Sequence, residues 1–585
     1  MLDASHDIAA ASPSAIPRFG AWREKNEAVF RIWAPAIARL SIEIDGSAGV
    51  AMAPLANGWH EYRADLPFGT RYRYRLPDGT AIPDPASRRQ EGGVHGESVL
   101  VSPDDHVWRC PDWRGRPWRE TILYELHVGL LGGFVGVERE LPWLAELGIT
   151  AIELMPIADF PGSRNWGYDG VLQFAPAAAY GSAAELKSLI DRAHELGLSV
   201  FLDVVFNHFG PDGCYLHTHS PEFFKAGSQT PWGAGIDFDR PEVRAFYRAC
   251  AVQWLDEFRF DGLRFDAVHA IPSAEFLLEL EQDIRAALPR ERHIHLVVEN
   301  EDNDADLLGA YDAQWNDDFH HAVHVLLTGE TQTYYASFAP APLRHLARIL
   351  ESGFAFQGEV TPSRGRPRGK PSGHLAPSRF VNCLQNHDQI GNRLFGERLL
   401  ALAEPAKVKV AAALLLLNPQ IPMLFMGEEH GSRTPFYYFT DHNEELAQAV
   451  REGRKREFAH DDHGSDPLAL DPNAADTFEA SRPQPGEDAP DWLALYRELI
   501  GVRRGLIVPD LDNCRSTGAV LLGAQALKAS WRLGSRSLVL FANFGEEAVK
   551  APAPAGRAIF SLGIAGLETD AVQLEGPSFL ALLSD

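Results

Sequence analysis

The stretch Phe258–Ile271, FRFDGLRFDAVHAI, decides the fold. It opens as an alternating run. Arg264 and Asp266 lie two apart, so on a strand they point to one side, while Leu263 and Phe265 point to the other, where helices can cover them. A carboxylate beside a guanidinium stays ionised. An ionised carboxylate at the end of a buried strand is costly to desolvate unless it has work to do. Taken alone, Arg264 and Asp266 read as a structural ion pair; the rest of the chain changes that reading.

Outward from this stretch, from Thr121 on, apolar strand-like runs alternate with helical segments. The runs are TILYELHVG, TAIELMPI, SVFLDVVF, FDGLRFDAV, HIHLVVEN, YDAQWNDDF, RFVNCLQNHD and IPMLFMGEE. Between them lie helices such as AELKSLIDRAHELG, with apolar residues at helical spacing and Gly197 as a stop. Strands this apolar suit a parallel sheet covered by helices. Eight such repeats predict a (β/α)₈ TIM barrel, an α/β fold whose chemistry sits at the C-terminal ends of the strands.

Polar residues gather at those ends. The third strand ends in Asp203, Asn207 and His208, the fourth in Asp266 and His269, the fifth in Glu299, and the seventh in His387 and Asp388. Two carboxyl groups in different settings are what retaining glycoside hydrolysis requires. Asp266, beside Arg264, is placed as the ionised one. Glu299 follows the apolar run HLVV, where desolvation favours the protonated acid. Asp388 is placed to accept hydrogen bonds from sugar hydroxyls, with His208 and His387 on the same sugar and Tyr168 of NWGYDG stacked on its apolar face. Any one of these residues alone reads as a satisfied hydrogen bonder at a barrel mouth; matching strand ends argue against coincidence.

Before the barrel, residues 1–16 read as a disordered tail. Residues 17–105 read as a small antiparallel β-sandwich, with short alternating segments split by Gly, Pro and Asp. Trp59, Tyr62, Tyr72 and Tyr74 there suit either core packing, the better reading, or a glycan platform. The barrel domain is set at 106–506 and a C-terminal antiparallel β domain at 507–585. The segment 210–240 reads as an excursion over the site, 362–373 as a basic glycine- and proline-rich loop, and 459–490 as an acidic surface connection.

The chain has 585 residues, enough for several domains. Its formal charge of −26 disfavours nucleic acid and anionic membranes and suits a neutral substrate. Five scattered cysteines without a CxxC pair read as reduced thiols of a cytoplasmic protein, not as a disulfide frame or a zinc site. The N-terminus lacks a basic region followed by an apolar one, so no signal peptide is expected. The run Val410–Leu417 is too short to span a bilayer.

At these residues the chain resembles the α-amylase superfamily. DVVFNH (203–208), GLRFDAVHA (262–270), Glu299 and NHD (386–388) match its characteristic regions in order and at similar spacing. The resemblance implies Asp266 as nucleophile, Glu299 as general acid/base and Asp388 as transition-state stabiliser. It implies Tyr168, Asp203, His208, Arg264, His269 and His387 as the residues that bind the reactive sugar.

A closer likeness runs through ASRRQEGGVHGES (86–98), YELHVG (124–129), ELMPIADFPGSRNWGYDG (153–170), QWNDDFHHAVH (314–324), LQNHDQIGNRLFGER (384–398), TPFYYFTDH (434–442) and REGRKREF (451–458). These look like the malto-oligosyltrehalose trehalohydrolase family. That implies an N-terminal sandwich like that of glycogen-branching enzymes and hydrolysis of the α-1,4 bond beside the terminal trehalose of a maltooligosyl-trehalose, with retention. The implied partner is that substrate or a related α-glucan, and the protein is expected to be a monomer or homodimer. Asn207 matches a calcium-holding position of some relatives, yet companion ligands are not evident, and neither metal nor cofactor is expected. Three positions depart from the family pattern: LLGGF (130–134) replaces a longer threonine-containing turn, His430 replaces Trp after MGEE, and Glu301 replaces Asp. The first two are expected to bear on outer substrate subsites. The rival readings are a branching or debranching enzyme on the same scaffold and a catalytically silent glucan-binding protein.

Overall fold

Eight parallel strands close into the predicted barrel: β1 (Leu123–Leu126), β2 (Ala151–Leu154), β3 (Ser199–Val204), β4 (Gly262–Phe265), β5 (His295–Glu299), β6 (Ala313–Trp315), β7 (Phe380–Cys383) and β8 (Ile421–Phe425), with β8 pairing back onto β1. The computed structural model describes residues 18–230, 232–361, 364–457, 470–563, 565–567 and 571–584. The tail expected at 1–16 lies outside the described residues, as do parts of the loops expected at 362–373 and 459–490.

These strands are short and buried along nearly their whole length, which is why they read as unbroken apolar runs. Covering helices bury one stripe each. The helix after the second strand is α2 (Ala183–Glu195), following α1 (Gly133–Leu147). Ser182 caps α2 in a capping box with Glu185, and Gly197 turns left-handed (φ 73°) to end it. The helix after the sixth strand, α3 (Asp317–Thr328), and the one that follows it, α4 (Pro342–Ser352), pack on the far side.

Strand register places the site. Asp203 pairs with Arg264, Arg264 with Val297, and Glu299 with Trp315. One ring of the barrel therefore carries Asp203, Arg264 and Val297, and Glu299 and Trp315 stand two residues further toward the mouth, level with Asp266 just beyond β4.

The N-terminal sandwich has two antiparallel sheets spanning Gly20 to Val99. Its core includes Phe30, Ile32, Ile42, Tyr72 and Tyr74. Tyr72 and Tyr74 are buried, with both hydroxyls donating to Asp84 Oδ2 (2.8 and 3.1 Å), so neither serves a glycan platform. The excursion after β3 leans on this sandwich. Ser220 Oγ donates to Trp33 O at 2.7 Å, and His95 Nδ1 meets the Tyr215 hydroxyl at 2.8 Å. Within it, Phe224–Thr230 and Gly233–Ile236 form a hairpin.

At the other end, a five-stranded antiparallel sheet running from Cys514 to Leu583 and a smaller three-stranded sheet make the C-terminal domain. The described part of the acidic 459–490 stretch is less loose than expected. It carries a short helix, Ala475–Ala480, whose Phe478 packs edge-on against Phe439 at 5.0 Å. One aromatic residue in a polar stretch is enough to dock it.

Candidate active site

A cleft of about 1110 Å³ opens over the C-terminal ends of the strands. Tyr168, His208, Asp266, His269, Glu299 and Asp388 line it, from five different βα segments. Asp203, Arg264 and His387 do not. The sequence reading sets all nine against the sugar; the structure seats these three in a layer beneath. Their exposures are 2%, 0% and 1%.

Arg264 organises that layer. Its Nη1 donates to Asp203 Oδ2 and to Asp266 Oδ1, both at 2.6 Å, and its Nη2 stands 3.6 Å from Glu299 Oε2. Its guanidinium lies 4.1 Å over the Trp315 ring, a flat cation–π floor in a region closed to water. Asn207 adds a second donor to Asp266, Nδ2 to Oδ2 at 2.9 Å. The Asn207 Oδ1, the atom a calcium ion would take, faces His208 Nδ1 instead. Among the described residues no cluster of three or more His, Cys, Asp or Glu is arranged to hold a metal.

Glu299 differs from Asp266 in its surroundings. Burial, with Asp266, Asp317 and Asp388 nearby and Arg264 opposing, pushes its carboxyl well above the ordinary range. The Ala267 N–H donates to Glu299 Oε2 at 2.5 Å. That N–H is aimed by a left-handed backbone at Ala267 (φ 41°, ψ 49°), a conformation non-glycine residues seldom adopt and one that clusters at working sites.

Asp388 would be raised by burial, but His387 Nε2 at 3.3 Å and the Arg264 charge bring it below the ordinary range. Burial opposes the charge on His387, yet Asp388 and Glu125 hold it well above its usual value. His387 Nδ1 donates to Glu125 Oε1 at 2.6 Å, and its Nε2 meets the Tyr168 hydroxyl at 2.8 Å, which in turn donates to Asp203 Oδ2 at 2.6 Å. The Tyr168 ring is stacked on His387 at 5.2 Å. His208 reaches Tyr168 O through Nε2 at 3.0 Å, and burial lowers its pKa. His269 accepts at Nδ1 from the Glu301 N–H at 3.3 Å.

Several contributors escaped the sequence reading. Glu125 of YELHVG, Trp315 of QWNDD and the Ala267 N–H have no local signal, since only barrel closure brings them to the site. Asn207 of DVVFNH was read only as a strand-end residue and a calcium position, although its amide, next to His208, was a readable donor. Trp232, half exposed at 48%, stacks on His208 at 5.6 Å and forms one wall, while His321 and Tyr334 line the wall above α3. Of the departures, Glu301 lines the cleft and pairs with Arg364. His430 does not line it: the ring stacks on Trp143 of α1 at 4.7 Å, outside the barrel mouth. The shortened turn at 130–134 is likewise outside the cleft, with the Phe134 N–H donating to Tyr180 O at 2.9 Å.

Comparison with known proteins decides the kinship. A relative from Saccharolobus solfataricus described as malto-oligosyltrehalose trehalohydrolase is 40% identical over 83% of this chain and 87% of its own, and one from Rhizobium sp. is 38% identical over 94% and 96%. The chain belongs to the malto-oligosyltrehalose trehalohydrolase family. Membership makes it a glycoside hydrolase of the α-amylase type, and residues 104–232 match the model for the alpha amylase catalytic domain. Residues 514–581 match a family model known only as a domain of unknown function. A solved chain from Salmonella typhimurium superposes with a TM-score of 0.92 at 41% identity, covering 97% of this chain and 99% of its own. A pullulanase from Anoxybacillus sp. shares the fold at 17% identity and a TM-score of 0.72.

Proposed function

We propose that this chain releases trehalose from maltooligosyl-trehalose by hydrolysing the α-1,4 bond next to the terminal trehalose unit, with retention at the anomeric carbon. The observation that carries the chemistry is the sharing of one guanidinium by two unlike carboxyls. Asp266 is gripped by Arg264 and Asn207, which stabilise negative charge on it. Glu299 meets only the outer Nη2, sits among other carboxyls and keeps its proton. The Ala267 N–H and Arg264 Nη2 both approach Glu299 at Oε2, which leaves Oε1 to carry the proton.

Asp266 attacks the anomeric carbon as Glu299 gives its proton to the departing oxygen. The C–O bond to trehalose breaks and an ester to Asp266 forms. A water then gives its proton to Glu299 while its oxygen attacks the same carbon, and the ester breaks to free the malto-oligosaccharide. Two inversions give retention. Asp388, held ionised by protonated His387, takes the hydroxyls of the reactive sugar, which His208 and Tyr168 flank and His269 adjoins. Five free thiols support a cytoplasmic site of action.

Incubation with maltooligosyl-trehalose, beside a maltodextrin of equal length, tests this. Trehalose release from the first, faster than any cleavage of the second, is expected. New α-1,6 links without trehalose would instead make the chain a branching enzyme, the activity of a Dechloromonas aromatica relative that is 34% identical over 43% of this chain.

A further inference from the structure

The pair Asp317–Asp318 opens α3 immediately after β6. The two carboxyls are treated very differently. Asp318 is fully buried and partnered at both oxygens: its Oδ1 forms an ion pair with Arg368 Nη2 at 2.8 Å, and its Oδ2 accepts from Asn303 Nδ2 at 3.0 Å and from the Ala355 N–H at 2.8 Å. That is a structural carboxylate. Asp317 lines the cleft. Among the described residues its side chain has one hydrogen bond, a long one from Gln389 Nε2 to Oδ1 at 3.3 Å, and no cation within ion-pair distance. Its Oδ2 therefore has lone pairs with no donor from the described residues, beside Glu299 and Asp388, in a cleft built for a molecule covered with hydroxyl groups.

Register fixes where on the substrate this falls. Glu299 pairs with Trp315, Asp317 follows two residues later, and Glu299 feels its charge, which sets the Asp317 carboxyl on the general-acid side of the site. In an eight-stranded barrel the segments after β2 and β3 face those after β6 and β7. Tyr168, His208 and Trp232 stand on the former, while Asp317, His321, Tyr334 and Gln389 stand on the latter.

We infer that Asp317 is a further substrate-contacting residue, whose free carboxylate oxygen accepts hydroxyl hydrogen bonds from the trehalose unit on the leaving-group side of the scissile bond. This rests on the trehalose-releasing reading of the site. The groups around Asp317 are Asp388, Arg368, Arg264 and its neighbour Asp318, and Glu299 feels its charge. Burial first, then Asp388, pushes Asp317 up to about 7, against Arg368 and Arg264. Hydroxyl donors from bound sugar favour the ionised form. Trehalose affinity should therefore rise as pH rises through 7, with a proton released on binding.

The experiment is calorimetric titration of the full chain with trehalose at pH 6 and pH 8, for the wild type, Asp317→Asn, Asp317→Ala and Asp318→Asn. Wild type should bind several-fold more tightly at pH 8. Asp317→Asn should bind about tenfold more weakly than wild type at pH 8, since a hydrogen bond to a charged group is lost, and without the rise in affinity between pH 6 and pH 8. If Asp317→Ala does not fold, Asp317→Asn, which keeps the shape and the Gln389 contact, still decides. Asp318→Asn should lower the melting temperature while leaving the pH dependence of trehalose binding in place. Unchanged trehalose affinity in Asp317→Asn overturns the inference while leaving the trehalose-releasing reading intact. A wild type that neither binds nor releases trehalose removes both.

Discussion

His387 Nδ1 lies 2.6 Å from Glu125 Oε1, joining the seventh strand's end to the first barrel strand across 262 residues of chain. Both side chains are 1% exposed, so the bond is a charge pair sealed under the cleft. It keeps His387 protonated, and protonated His387 keeps Asp388 ionised.

Replacing Glu125 with Gln removes the carboxylate and leaves a buried imidazolium with a neutral partner. A His pKa raised by folding adds stability that is complete below its ordinary value of about 6.5 and is lost as pH rises through the raised one. The E125Q variant should therefore be less stable than wild type by roughly 3–5 kcal/mol near pH 6. The gap should narrow in alkali, and the alkaline limb of kcat/KM should move to lower pH. Denaturant melts at two pH values and a pH–rate profile measure both. Parallel melts with equal gaps at both pH values would show that the pair carries no charge.

The D266N variant keeps the hydrogen-bonding shape of the carboxylate but not its nucleophilicity. Turnover should fall by about 10⁴-fold or more, with the melting temperature little changed. Near-wild-type kcat on maltooligosyl-trehalose would sink the nucleophile assignment.

Glu299 works as an acid only while protonated, and its pKa is raised. Wild-type activity should therefore decline as pH climbs through that raised value. In the E299Q variant this limb should vanish and kcat on maltooligosyl-trehalose should fall by about 10²–10⁴-fold. A maltosyl fluoride, whose leaving group needs no proton, should still form the ester with Asp266, and azide should then release it. An E299Q protein equally slow on the fluoride with azide present contradicts the acid/base role.

The cleft wall after β5 is ionic. Arg364 meets Glu301 and Asp302, Arg366 meets Asp302 at 3.0 Å, and Lys370 meets Asp304 and Asp306, each at 2.6 Å. Several of these side chains are partly exposed, so each pair is worth little and salt screens it. Raising NaCl to about 1 M, where the Debye length is about 3 Å, should raise KM a few-fold with kcat nearly constant. The R364A variant should show the higher KM already at low salt. A salt effect on kcat alone would place the wall outside substrate binding.

The strand count, the strand order and the carboxyls Asp266, Glu299 and Asp388 were legible in the sequence. Strand pattern is local: a buried parallel strand must be apolar, and the residue that ends it marks the barrel mouth whatever lies elsewhere. What the chain could not declare is which strand-end residues face the cleft and which lie under it. Asp203, Arg264 and His387 carry the same motif signal as Asp266 and His208, yet barrel closure seals them beneath, because partners arrive from distant strands: the Tyr168 hydroxyl on Asp203, the Trp315 ring on Arg264 and the Glu125 carboxylate on His387. The same closure distinguishes two adjacent aspartates, satisfying Asp318 and leaving Asp317 open to the cleft. Burial and hydrogen-bond saturation depend on contacts between residues far apart in the chain, so only the tertiary structure decided them.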